Sequence, residues 1–239
     1  MGARRADAPL FFASLFLSYL RTVIIAQNSK SLMFDLFQLF LLNAEAGAYI
    51  KSYSALPILV FEDARKKGWS DDPRDAGGAT MCGITLNTLR AWCAKHKLPV
   101  PTKDILRNIS YANWRDVVKE FFWDLCRADE IKAPQLKFII VDWVWASGPS
   151  VIKIVQSIVG ANPDGIVGPK TIAAINAHNP HDLFAALMVR RIKFIDACIA
   201  RRPVNKVFRK GWIARLNRIL PNPPYLSFCQ SSQPDDFNF

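Results

Sequence analysis

The sequence predicts a mainly α fold with at most a small β-hairpin, and three observations carry that prediction. Apolar residues recur at helical spacing in successive segments from about residue 55 to residue 220. No alternating apolar–polar run is long enough to supply the strands of a large sheet. Polar breakers rich in Gly, Pro and Asp separate the segments at helix-like lengths. The chain has 239 residues, 51% of them hydrophobic and 21% charged, so it can build a packed core. A disordered chain, a fibre and a small disulfide scaffold are excluded.

Residues 1–54 read as an N-terminal extension. Arg4 and Arg5 precede the apolar run Leu10–Leu20, which Arg21 closes. That run is shorter than the ~20 residues a spanning helix needs. A basic flank before a short apolar run has the form of a secretory signal, with Ala26 as a poor cleavage residue. A signal-anchor, an interfacial helix, or sequence upstream of a later start at Met33 fits equally well. A second apolar stretch, Phe34–Leu42, follows Met33 directly.

The helical elements then follow in order. Leu56, Leu59, Val60 and Phe61 give one helix an apolar side that ends at Glu62, and a polar loop runs from Gly68 to Gly78. Ser110 is placed to cap a helix whose stripe is Trp114, Val117, Val118, Phe121, Phe122 and Leu125. Leu136, Ile139, Ile140, Trp143 and Val144 form the next stripe, and Val151, Ile154, Val155 and Ile158 another. Asn162-Pro163-Asp164-Gly165 breaks the chain before a helix carrying Leu183, Leu187, Phe194 and Cys198. Arg202-Pro203 breaks it again before Trp212, Ile213, Leu216 and Leu220, and residues 221–239 read as a flexible tail.

The net charge of +11 predicts attraction to a polyanion. Ten Lys or Arg and one acid, Asp196, lie between Arg190 and Arg218. No helix-turn-helix, RNA-binding or zinc-finger signature accompanies them, so a specific nucleic-acid partner is not implied. Five cysteines without Cys-x-x-Cys spacing and three histidines give no support for a zinc site. No metal or cofactor is implied, and the chain is expected to be a monomer.

One stretch could carry chemistry. Glu62 ends an amphipathic helix, and an Asp-rich turn with Asp72 and Asp75 follows, then Gly77-Gly78 and Thr80. Glycoside hydrolysis needs a carboxylic acid of raised pKa and a second group that supports attack at the anomeric carbon. Glu62 against an apolar wall, with Asp72, Asp75 and Thr80 facing it, could supply both. Asp- and Gly-rich turns also occur simply to shape the chain.

Asp71-Asp72-Pro73-Arg74-Asp75-Ala76-Gly77-Gly78-Ala79-Thr80-Met81-Cys82-Gly83-Ile84-Thr85 resembles the N-D-P-x-D-x-G-G-x-T-x-x-G-I-T signature of glycoside hydrolase family 108, the bacterial and phage N-acetylmuramidases. Val141-Asp142-Trp143-Val144-Trp145-Ala146-Ser147-Gly148 is similar to the family's F-D-x-x-V-N-S-G helix end. Asp164-Gly165-Ile166-Val167-Gly168-Pro169-Lys170-Thr171 resembles the turn of its peptidoglycan-binding half, although Asp-Gly and Gly-Pro also set a tight turn and start a helix in any protein.

The resemblance implies a lysozyme-like helical fold, with a catalytic lobe over 55–129 and a peptidoglycan-binding-like region over 130–220. It implies a cleft between the Asp72–Thr85 loop and the helix ending at Ser147-Gly148. The implied activity is cleavage of the β-1,4 bond after N-acetylmuramic acid. Glu62 would be the general acid, with Asp75 and Thr80 orienting water or supporting developing charge. Asp72, Gly77, Gly78, Thr85, Asp142, Trp143, Ser147 and Gly148 would bind substrate. The partner would be bacterial peptidoglycan, with anionic wall polymers drawn to the basic face, at the cell envelope or after secretion or lysis.

One position departs from the family. Its catalytic glutamate, in Glu-Gly-Gly-aromatic, aligns without gaps on Lys66, and Glu62 lies four residues upstream. Either four residues are inserted after Glu62, or the acid has been lost to lysine. Along a continued helix Glu62 would share the Lys66 face but sit about 6 Å farther back. Lys66 at i+4 would also favour the ionised form of Glu62. The Leu59-Val60-Phe61 run before Glu62 matches what the family has before its acid, and with Ile58 it predicts that Glu62 faces a cleft. Loss of the acid would leave a non-catalytic wall-binding or secretion-associated protein of the same fold.

Overall fold

The computed structural model describes residues 32–47, 57–72 and 77–219. Residues 1–31, Asp75 and the tail from 220 onward lie outside the described residues. The fold is mainly α with one small antiparallel sheet. Helix α1 spans 32–46 and α2 Pro57–Ala64. Strands β1 (Trp69–Ser70), β2 (Thr80–Met81) and β3 (Ile84–Thr85) form the sheet in the order β1-β2-β3. Then come α3 (Leu86–Lys95), α4 (Lys103–Arg107), α5 (Tyr111–Val118) and a π-helical turn (Lys119–Trp123). Helices α6 (Pro134–Ser147), α7 (Ile152–Ile158), α8 (Pro169–Ala177), α9 (Pro180–Arg201) and α10 (Arg209–Leu216) complete it. No described helix is long and apolar enough to cross a membrane.

Residues 32–46, part of the extension in the sequence reading, are instead at the centre of the core. Met33, Phe34, Leu36, Phe37, Leu39, Phe40, Leu41 and Leu42 are all buried. A helix that is apolar on every side must be enclosed, and the enclosing rings are Trp123 and Phe138. Phe37 lies 5.4 Å from each, edge-on to Phe138. The polar side chain of Gln38, fully buried, is satisfied: it donates to Asp35 Oδ1 (2.9 Å) and accepts from the Tyr111 hydroxyl (2.9 Å).

Helix α6 is the second enclosed helix, buried without a break from Gln135 to Val144. Helix α5 begins as the sequence predicts, with the Ser110 hydroxyl accepting from the Asn113 amide at 3.2 Å and Trp114, Val117 and Val118 buried. Periodicity alone carries its stripe on to Leu125. The π-helical turn adds a residue per turn and rotates the inward face. Trp123 is therefore fully buried, its Nε1 donating to Asp129 Oδ1 at 2.8 Å, while Leu125 is exposed.

Candidate active-site groove

The groove is built where α2 runs into the sheet. One more turn of backbone hydrogen bonds carries α2 to Lys67. Gly68 then passes so close to Cys82 that a Cβ there would lie 2.5 Å from Sγ. The Cys82 amide donates to the Gly68 carbonyl at 2.8 Å, which fixes β1 against β2. Pairing sets Trp69 opposite Met81 and Met81 opposite Ile84, an apolar row. Ser70, Thr80 and Thr85 form the polar row, and side chains of the two rows leave opposite faces of the sheet.

Glu62, Arg65, Lys66, Trp69, Met81, Arg107 and Asn108 line an open groove of about 380 Å³ on the Trp69–Met81 side. The Arg107 guanidinium stands over the Trp69 ring, 5.5 Å from its centroid. Lys103 Nζ holds Asp71 at 2.8 Å beyond the rim. Glu62 pairs with Arg65 at 3.4 Å and its side chain is 53% exposed. Lys66 pairs with Asp63 at 3.2 Å.

Several predicted site residues stand elsewhere. Thr80 belongs to the polar row, so the sheet separates it from Glu62. Ile58 and Leu59, inward-facing in the sequence reading, are 44% and 66% exposed. The inward face of α2 is Pro57, Val60, Phe61 and Ala64, which turns Glu62 outward along the helix side that carries Ile58 and Leu59. Thr85 caps α3, accepting from the Thr88 amide at 3.1 Å. Gly77 and Asp72 are half-buried, and Gly78 supplies the positive φ (+68°) that brings the loop back into β2.

Among the described residues, the β2–β3 turn packs directly against the end of α6 where the sequence reading expects a cleft. Gly83, at φ +80°, lets Trp145 and Glu45 pack directly on the turn, and a Cβ would meet Trp145 Cζ2 at 2.5 Å. Glu45 comes from α1, the helix missing from the sequence reading of the fold. Its Oε1 accepts from Trp145 Nε1 at 2.7 Å and pairs with Arg215.

Asp142, a predicted substrate contact, is fully buried. Its Oδ1 accepts from Arg215 Nε and Nη2 at 2.8 and 2.6 Å, and its Oδ2 from Arg191 Nη2 at 2.6 Å. Burial alone would raise its carboxyl, but Arg215 and Arg191 outweigh that and hold it below the usual carboxylate range. Its work is to tie α6 to α9 and α10. Trp143 and Ser147 line a separate cavity between those helices, and Gly148 ends α6 at φ +81°.

The predicted turn at 164–169 is organised by buried Gln156. Gln156 Nε2 donates to Asp164 Oδ1 (2.8 Å) and its Oε1 accepts from the Gly165 amide (2.8 Å). Gly165 has φ +86°, and Gly168 and Pro169 begin α8. Trp69, Arg107 and Asn108 are groove residues the sequence reading missed. Of the three, only the aromatic of the Gly68-Trp69 step had a signal, since it falls on the family's Glu-Gly-Gly-aromatic.

A helix-rich fold with a small sheet beside a groove, joined to a second helical unit, defines the class of lysozyme-like glycoside hydrolases. Residues 64–148 match the family model Glycosyl hydrolase 108, and residues 150–217 match Predicted Peptidoglycan domain. The two matched stretches adjoin at the end of α6. The structure of Brucella abortus SagA is similar, with 28% identity, 74% of this chain and 92% of that chain covered, and a TM-score of 0.57. Among curated proteins there is no match. Residues 64–148 belong to the glycosyl hydrolase 108 family, and the predicted peptidoglycan domain follows them.

Proposed function

We propose that the protein is a peptidoglycan hydrolase of the cell envelope that cleaves the β-1,4 bond after N-acetylmuramic acid, with Glu62 as the proton donor. The observation that carries this is the place of Glu62: it is the one carboxylate among the described residues on the wall of the groove that holds Trp69. A sugar ring stacks on the Trp69 indole, and Arg107 and Asn108 donate to its oxygens. A glycan lying over Trp69 excludes water from the groove around Glu62. Asp75 is the proposed second carboxylate. Thr80, on the opposite face of the sheet, takes no part.

Two observations favour a second function, glycan binding without cleavage. Glu62 is tied to Arg65 outside the residues that match the hydrolase model, and Lys66 lines the groove at the place of the family's acid. One assay separates the two: reducing ends released from purified peptidoglycan. The hydrolase requires release by the wild type and a loss of about 10²-fold or more in Glu62→Gln. Full activity in Glu62→Gln removes Glu62 from the mechanism. An inactive wild type that gains activity as Lys66→Glu establishes the binding protein instead.

A further inference from the structure

The 3-10 turn Pro203–Phe208 runs directly into α10, and its threefold period gives it three edges. Asn205 and Phe208 form the half-buried inner edge. Val204 and Val207 form a second edge, 48% and 69% exposed, and Lys206 leads the third edge on to Arg209. From Lys206 an open groove of about 510 Å³ continues along α10, lined by Arg209, Lys210, Ile213, Ala214 and Asn217 at helical spacings of three and four. Trp212, Arg215 and Leu216 turn the opposite way, toward α6 and α9. This face shares no lining residue with the Glu62 groove.

The charge on the face is not balanced. Asp196, the one acid between Arg190 and Arg218, pairs with Arg209 at 3.0 Å. Arg191 and Arg215 are held by Asp142. Among the described residues no carboxylate pairs with Lys206 or Lys210, nor with Arg202, which leads into the turn, and all three are exposed. Uncompensated cations and exposed aliphatic side chains therefore stand side by side, and together they restrict what can cover them. A second copy of the chain would set like charge against like charge. A hydrated polyanion would meet the lysines and leave Val204 and Val207 in water. An apolar peptide would cover the valines and strand the lysines. An anionic bilayer answers both features: its phosphates meet the ammonium groups, the valines enter the boundary with the acyl chains, and the lysine stems lie along that boundary.

We propose that the outward face of the 3-10 turn and α10 is a docking surface for an anionic phospholipid bilayer, with Val204 and Val207 at the acyl boundary and Lys206 and Lys210 on lipid phosphates. Because the Glu62 groove lies elsewhere, docking leaves it open, and the surface stands whether or not the protein cleaves glycan. The full chain is sedimented with vesicles of phosphatidylcholine, or of phosphatidylcholine and phosphatidylglycerol in equal parts, and the bound fraction is measured. Inorganic polyphosphate serves as the polyanion without an apolar phase.

The chain binds the mixed vesicles and not phosphatidylcholine alone. Lys206→Gln with Lys210→Gln weakens that binding about 30-fold, at about fivefold for each charge at an anionic surface. Val204→Ser with Val207→Ser weakens it about tenfold and leaves binding to polyphosphate unchanged. All four side chains are exposed, and unchanged circular dichroism and melting temperature show that each double variant is folded. Absence of binding to the mixed vesicles overturns the docking surface. So does binding that neither double variant weakens, which would place the contact elsewhere in the chain. Loss in the lysine variant alone, with equal loss of polyphosphate binding, also overturns it and leaves a face for polyanions only.

Discussion

Asp142→Asn tests the assignment of this residue to structure and not to substrate. The substitution keeps shape and size but removes the charge that three short hydrogen bonds from Arg215 and Arg191 engage. Breaking one side of a buried ion pair costs about 3–5 kcal/mol, because the remaining charge is left without compensation. At about 2–4 °C per kcal/mol for a domain of this size, a loss near 4 kcal/mol lowers the melting temperature by about 8–16 °C.

Thermal unfolding followed by circular dichroism measures it, and a drop of less than about 3 °C would refute the argument. The pH dependence gives a second check. The folded pKa of Asp142 lies below its ordinary value of 3.8, so its contribution is present above that value and fades as pH falls through the depressed folded pKa. The gap between wild type and variant should therefore be full at neutral pH and close in strong acid. A gap that widens with acidification contradicts the assignment.

Gly83→Ala places a Cβ 2.5 Å from Trp145 and 2.7 Å from Glu45 at φ +80°, and should cost about 2–5 kcal/mol in urea unfolding; a loss below about 1 kcal/mol would mean Trp145 is not seated on that turn. Phe37→Ala opens a void between Trp123 and Phe138 and should cost about 3–5 kcal/mol. A near-neutral result there would remove α1 from the core. Burial pushes the Cys82 and Cys126 thiols up to about 12, so among the described cysteines Cys198 should react first with a thiol reagent under native conditions. Faster labelling of Cys126 would contradict its enclosure.

What the sequence determined by itself is what depends on neighbours along the chain. The Ser110 cap, the Trp114–Val118 stripe, the glycine turns at Gly78 and Gly165 and the start of α8 at Pro169 are set within a few residues, and each is legible there. The family motifs are legible for the same reason, being short runs in fixed order. Only the tertiary structure could decide what lies far apart in sequence. Phe34–Leu42 looks like any short apolar stretch until Trp123 and Phe138 enclose it. Asp142 reads as a site residue until two arginines 49 and 73 positions away neutralise it. The separation of Glu62 from Thr80 follows from strand pairing, which sends alternate side chains to opposite faces, and from Val60, Phe61 and Ala64 claiming the inward side of α2. Periodicity marks which residues share a face, but the partner that covers a face decides whether it points to core, groove or water.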